Sequence, residues 1–159
     1  MSESSSRSTP GPRTFTVRPA AWPADRAALL AVRTAVFVAE QGVPPDIEAD
    51  AADATAEHFL ACDTAGAPIG TARLLADAHI GRIAVLRDWR GRGVGRALLE
   101  AAVARARERA MSAVVLHAQS HAAGFYAGAG FVTHGEPFME AGIRHVRMVR
   151  TLARPVAPP

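Results

Sequence analysis

The apolar positions of the chain change period several times, and each change predicts a change of element. Thr14–Arg18, reading TFTVR, alternates as a short strand does. Across residues Pro23–Ala39 the apolar groups Leu29, Val32 and Val36, flanked by Leu30 and Phe37, recur at helical spacing. GVPPD stops that helix, because a residue before proline is pushed out of the helical region. Asp46–Glu57 has no clear period and predicts irregular chain or a short helical turn. Three strand candidates follow, His58–Cys62, Ile69–Leu75 and His79–Leu86, the first two joined by the turn signal DTAGAP. Val94, Ala97, Leu98 and Ala101 then fall at i, i+3, i+4 and i+7, giving a helix with Arg92, Arg96 and Glu100 off its apolar face. Ala113–Leu116 reads as a buried strand and His121–Ala129 as a short helix ended by Gly130. Two last strands, Phe131–Thr133 and His145–Leu152, flank a loop holding Glu136, Pro137 and Gly142. This order predicts α/β (α+β) layers, a mixed sheet with helices packed on it, in one domain over residues 14–152.

Composition narrows the class. Residues 1–13 are polar and rich in serine and proline with no apolar core, so they predict a disordered tail and no secretory signal; residues 153–159 predict a flexible counterpart. No apolar run approaches the roughly 18 residues of a membrane-spanning helix. Cys62 is the only cysteine, so no internal disulfide can form, and its apolar run predicts a buried, inert thiol in a reducing, cytoplasmic setting. All 18 basic residues are arginine, which raises the pI to about 10.3 because arginine does not deprotonate. The charge is unevenly spread: Thr34 to Ala72 carries seven acidic residues and no basic one, whereas residues 90–110 are dense in arginine. One part of the surface should attract cations and another anions.

The anion side centres on RGRGVGRALL, Arg90 to Leu99, which follows a strand and opens a helix. Helix N-termini offer unpaired N–H groups, and glycines let the backbone approach a phosphate closely. A Walker A loop would need lysine, which the chain lacks, and the dinucleotide fingerprint needs a third small residue where Arg96 or Leu98 stands. The stretch resembles instead the Arg/Gln-x-x-Gly-x-Gly/Ala signature of the GNAT superfamily of acyl-CoA N-acetyltransferases, here Arg90, Gly93 and Gly95. RIAVL upstream looks like that family's splayed central strand, and FYAGAGF at Phe125–Phe131 like its Tyr-x-x-x-Gly-Phe element. LLAVRTAVFVAEQGVP, LHAQSHAAGFY and FMEAGIRHVRM are similar to the ElaA-type branch. Gln119 stands where many members carry asparagine.

The resemblance implies the GNAT fold, with a mostly antiparallel central sheet, and direct transfer of acetyl from acetyl-CoA to a primary amine of a small, cationic acceptor. Backbone groups of Ile83, Ala84 and Val85 would pair with the pantetheine, Gln119 would contact it, and the N–H groups of Gly91, Arg92, Gly93, Val94, Gly95 and Arg96 would hold the pyrophosphate, with Arg90 and its neighbours nearby. Tyr126 would protonate the leaving thiolate. The first long helix and its following loop would shape the acceptor pocket, which makes Arg33, Phe37, Glu40 and Gln41 candidate substrate contacts, with Glu140 and His145 facing them, and Glu40 a candidate general base; Glu136, Glu140 and His145 on the opposite loop are the alternatives. Arg33 and Phe37 also resemble the opening of the acyl-homoserine-lactone synthase motif, although the tryptophan expected after it is missing. An RNA-binding or non-catalytic CoA-binding module is the remaining alternative, but Trp89 is the only aromatic among the arginines for base stacking. His117 and His121 lie four apart across a strand end and a helix start, so no metal is expected. No nucleic-acid or membrane partner is expected, and the chain should be a monomer or homodimer.

Overall fold

The computed structural model describes residues 14–45 and 50–153; the two expected tails, Ala153 apart, and residues 46–49 of the acidic stretch lie outside the described residues. Strand β1 (Phe15–Ala20) pairs antiparallel with β2 (Glu57–Asp63), β2 with β3 (Pro68–Leu74) and β3 with β4 (Ile80–Val85). A second antiparallel group gathers on β8 (Ile143–Thr151), which receives β5 (Ala113–Gln119) on one side and the short β6 (Val132–Thr133) and β7 (Phe138–Glu140) on the other. The single sheet expected from the pattern is therefore two sheets. They touch through one parallel bridge, His79 to Val115, where the Val115 N–H donates to the Ala78 carbonyl at 3.0 Å.

Helix α1 (Trp22–Arg33) begins with proline in its first turn and with Asp25, which accepts from the Ala21 N–H at 2.9 Å. The Arg18 guanidinium, with that N–H, holds the Asp25 carboxyl down to about 2. The apolar pattern runs on past Arg33, but the backbone widens: Thr34–Glu40 is π-helical, and the Gln41 N–H reaches back five residues to the Val36 carbonyl. Side-chain periodicity cannot register that change, which re-aims Phe37, Glu40 and Gln41.

Helix α2 (Val94–Glu108) buries Val94, Leu98, Leu99, Ala102, Val103 and Ala106, a face turned from the expected one so that Leu99 points inward and Ala97 and Ala101 lie at its margin. It packs on Phe59, Ala61, Ile69 and Leu74, while Val32 and Val36 of α1 and its π-helical extension pack against Ala84, so helices cover both faces of the first sheet. Gly70 allows the closest approach: a Cβ there would lie 2.8 Å from Leu98 Cδ1 and 3.0 Å from Val94 Cγ1. Strand β7 falls in a stretch expected to be loop. Ala141 and Gly142, at φ +50° and +75°, join it to β8 in a two-residue hairpin. Alanine is an uncommon residue at such a turn, which hides the hairpin from the sequence. Cys62 sits at a register shift on β2 and is only part-buried, unlike the buried thiol expected.

Candidate active site

The functional cleft is the gap between the two sheets. β4 and β5 start side by side at the His79–Val115 bridge and then diverge, and a bulge drives them apart. Arg82, a non-glycine residue at φ +50°, occupies that bulge, and the Thr71 hydroxyl donates to its carbonyl at 2.9 Å. The resulting cleft measures about 930 Å³ and is lined by Ile83, Ala84 and Val85 on one side, Gln119 on the other and Gly95 and Tyr126 beyond.

The glycine-rich turn closes the wide end. Gly91 and Gly93 take φ +73° and +85°, a region that favours glycine, and Gly93 caps α2. The first intrahelical bond comes from the Ala97 N–H to the Gly93 carbonyl at 3.0 Å, so the amides of Val94, Gly95 and Arg96 are left for an anion. A Cβ on Gly95 would stand 3.6 Å from Val85 and 3.7 Å from Phe125, which places that backbone against the cleft. The arginine side chains of this stretch are already engaged: Arg90 donates to the Val85 carbonyl at 2.9 Å, Arg92 to the Asp88 carbonyl at 3.1 Å, and Arg96 pairs with Glu100 at 3.3 Å. Val94 points into the core. Arg90 and Gly95 line the cleft; for Gly91, Arg92, Gly93, Val94 and Arg96 the turn offers backbone rather than side chains.

Tyr126 lies on the short helix α3 (Ala123–Gly128), half-buried, edge-on to Phe125 and Phe131 at centroid distances of 5.0 and 6.1 Å. Desolvation pushes its phenol up to about 12, so it stays protonated through the physiological range. The Phe131 and Ala129 N–H groups both donate to the Tyr126 carbonyl, which ties the helix end to Gly130 at φ +91°.

At the other end, Phe37 and Glu40 come from the π-helical turn, Gln41 from the residue that follows it and Glu140 and His145 from the β7–β8 hairpin, and all five line the cleft. Glu40 is held by Arg90, whose Nη2 contacts both carboxylate oxygens at 2.9 Å. Gln41 and Gln119 exchange amide hydrogen bonds at 2.7 and 3.4 Å, bridging α1's extension to β5. Glu136 is not among the lining residues. Arg33 requires a correction. It is 1% exposed and pairs with Asp53 at 2.8 Å beneath the cleft, so it is a buried structural ion and not a substrate contact.

Several cleft contacts had no signal in the sequence. Asp50 pairs with Arg73 at 2.8 Å and with Arg82 at 3.2 Å on the cleft wall, and His79 and His117 meet edge-on at 5.6 Å. These residues are far apart in the chain and share no motif. Among the described residues no group of three or more His, Cys, Asp or Glu could hold a metal ion, and no helix is long and apolar enough to cross a membrane.

A sheet split between two parallel neighbours, with a glycine turn at the start of the following helix, is the architecture of acyl-CoA N-acyltransferases. Residues 25–152 match the acetyltransferase (GNAT) domain, and the chain belongs to that family. It is 40% identical over 125 residues to a Bacillus subtilis (strain 168) protein provisionally named an acetyltransferase, covering 75% of this chain and 84% of that one. A Pseudomonas aeruginosa acyl-CoA N-acyltransferase superposes with a TM-score of 0.76 at 30% identity, covering 87% of this chain and 100% of that one. Escherichia coli ElaA does so with a TM-score of 0.76 at 29% identity, covering 86% and 99%. The protein is thus a GNAT N-acetyltransferase of ElaA type, which binds an acyl-CoA and an acceptor.

Proposed function

We propose that the enzyme transfers acetyl from acetyl-CoA directly to the primary amine of a small, cationic acceptor. The observation that carries this reading is the continuity of one cleft from the α2 N-terminus, past the unpaired strand gap, to walls bearing Glu140 and Asp77 with Phe37. Amides at the first end suit a pyrophosphate, and carboxylates with an aromatic face at the other suit an ammonium. In this assignment Ile83, Ala84, Val85 and Gln119 accompany the pantetheine arm, the turn from Gly91 to Arg96 receives the pyrophosphate, and Tyr126 supplies the proton for the thiolate.

The raised phenol constrains how Tyr126 acts. A group near 12 is a weaker acid than an ordinary thiol at about 8.5, so complete transfer to the thiolate is uphill by itself. It proceeds when the phenolate recovers a proton at once from the nitrogen of the collapsing intermediate. The alternatives fare less well. Arg33 is sealed in a buried pair, which removes the residue that suggested a homoserine-lactone synthase. Arg90 and Arg96 are paired with Glu40 and Glu100, which weakens the case for a nucleic-acid surface. Glu40, doubly held by Arg90, is better suited to fixing that arginine under Val85 than to taking a proton. A cytoplasmic site of action fits a chain whose one cysteine is unpaired. Free-thiol release from acetyl-CoA across a panel of primary amines tests the proposal. Tight acetyl-CoA binding with no thiol release above hydrolysis for any amine would leave a CoA-binding module in its place.

A further inference from the structure

The acceptor end of the cleft holds a cluster that donor binding does not use. β5, β7 and β8 bring His117, Glu140 and His145 together: one Glu140 oxygen lies 3.3 Å from His117 Nδ1 and the other 3.6 Å from His145 Nε2. Phe138 stacks on His145 at 5.9 Å and meets His117 edge-on at 5.0 Å. His145 is 7% exposed, and its Nδ1 lies 2.7 Å from the Ile143 carbonyl oxygen. A carbonyl only accepts, so Nδ1 carries the hydrogen and Nε2 of the neutral ring is a lone pair. That lone pair faces a carboxylate with no hydrogen between them. A proton, or an N–H cation, entering the gap satisfies both groups at once.

We propose that His145 Nε2 is the base that deprotonates the acceptor ammonium, with Glu140 as the positioning carboxylate that stabilises the imidazolium. The inference rests on the acetyl-transfer reading above. Register supports it: His145 is the cross-strand partner of Gln119, on the β5 edge of the donor gap, so the base stands beside the expected thioester arm. Glu40, on the opposite wall, already has Arg90 as its partner. The step balances. The ammonium gives one proton to Nε2, and the freed nitrogen pair forms the C–N bond at the thioester carbonyl. The C–S bond then breaks, Tyr126 protonates the sulfur and regains a proton from the new amide nitrogen, and His145 releases its proton to solvent. The other charges facing the cluster are His79, edge-on to His117 with Asp77 3.1 Å behind it, Arg147 opposite His117 on β8, and Arg144 opposite Met139 in the hairpin.

The test uses the full chain and two variants, Glu140→Gln, at an exposed site that should not disturb folding, and His145→Gln. Histidine-resolved 15N NMR should show the neutral His145 ring with its hydrogen on Nδ1, as the contact with the Ile143 carbonyl requires. With putrescine, phenethylamine and lysine amide as probes, both variants should lose at least about tenfold in kcat/KM below neutrality and approach wild type where the free amine is abundant, with acetyl-CoA affinity by calorimetry unchanged. A neutral His145 ring with its hydrogen on Nε2, or acid limbs that coincide with wild type in both variants, overturns the proposal while leaving acetyl transfer intact. Absence of acetyl-CoA binding by wild type would instead overturn the functional reading itself.

Discussion

Tyr126 is the only tyrosine in the chain, which makes the proposed acid directly observable. Its phenolate absorbance should titrate near 12 in the folded protein and near the ordinary value of about 10 after denaturation, because burial disfavours the phenolate. Tyr126→Phe keeps the ring contacts with Phe125 and Phe131 and removes only the proton. The turnover number should fall by about 100-fold with acetyl-CoA affinity little changed. An unchanged rate under conditions where chemistry limits turnover would remove Tyr126 from the mechanism. At this scale the sequence was readable where spacing is local, as for Gly95 at the start of α2 and Tyr126 on its short helix, both of which line the cleft. It was misleading for Arg33, whose type suits substrate recognition and whose burial suits only an internal ion pair.

The elements carry the site through their ends. β4 supplies backbone because its bulge at Arg82 parts it from β5, α1 supplies Phe37, Glu40 and Gln41 because its last turns widen, and α2 supplies amides because Gly93 starts it from a left-handed conformation. A Cβ on Gly93 would meet nothing within 4 Å, so its replacement would not clash inside the protein. The cost is conformational, about 1–2 kcal/mol for a residue with a Cβ forced into the left-handed region, together with a side chain projecting before the helix start. Gly93→Val should therefore retain the fold by circular dichroism while weakening acetyl-CoA at least about tenfold, since the turn must shift to relieve φ. Calorimetry showing wild-type affinity would refute the pyrophosphate assignment. The glycines were legible because their spacing is local; the bulge was not, because nothing in GRIAVL marks a non-glycine residue at positive φ.

For the whole molecule, the buried ions tie α1 to the first sheet. Asp53 joins Arg33 of α1 at 2.8 Å and Arg73 of β3 at 3.0 Å, and its oxygen caps the short turn Ala51–Ala54 by accepting from the Asp50 N–H at 3.4 Å. Burial alone would raise the Asp53 carboxyl; the Arg33 and Arg73 guanidiniums outweigh it and hold it below the usual range. A carboxyl depressed in the folded state contributes stability above its unfolded value near 4 and loses it as the pH falls through the folded value. Asp53→Asn should cost on the order of 3 kcal/mol at pH 7, because it strips a carboxylate from two buried guanidiniums, and the deficit should shrink on acidification. Chemical denaturation at both pH values reads this, and a loss under about 1 kcal/mol at pH 7 would show that the network is replaceable.

The sequence by itself determined most strands and helices, the glycine-rich turn before α2 and the short helix that carries Tyr126, because side-chain period, glycine placement and helix stops act over a few residues. Only the tertiary structure decided that the strands joined at His79 part at the Arg82 bulge, that Arg33 is internal, and that His117, Glu140 and His145 share one corner. Those facts depend on strand register and backbone bulges, where a shift of one residue turns every side chain to the other face, and no local pattern encodes which faces will meet.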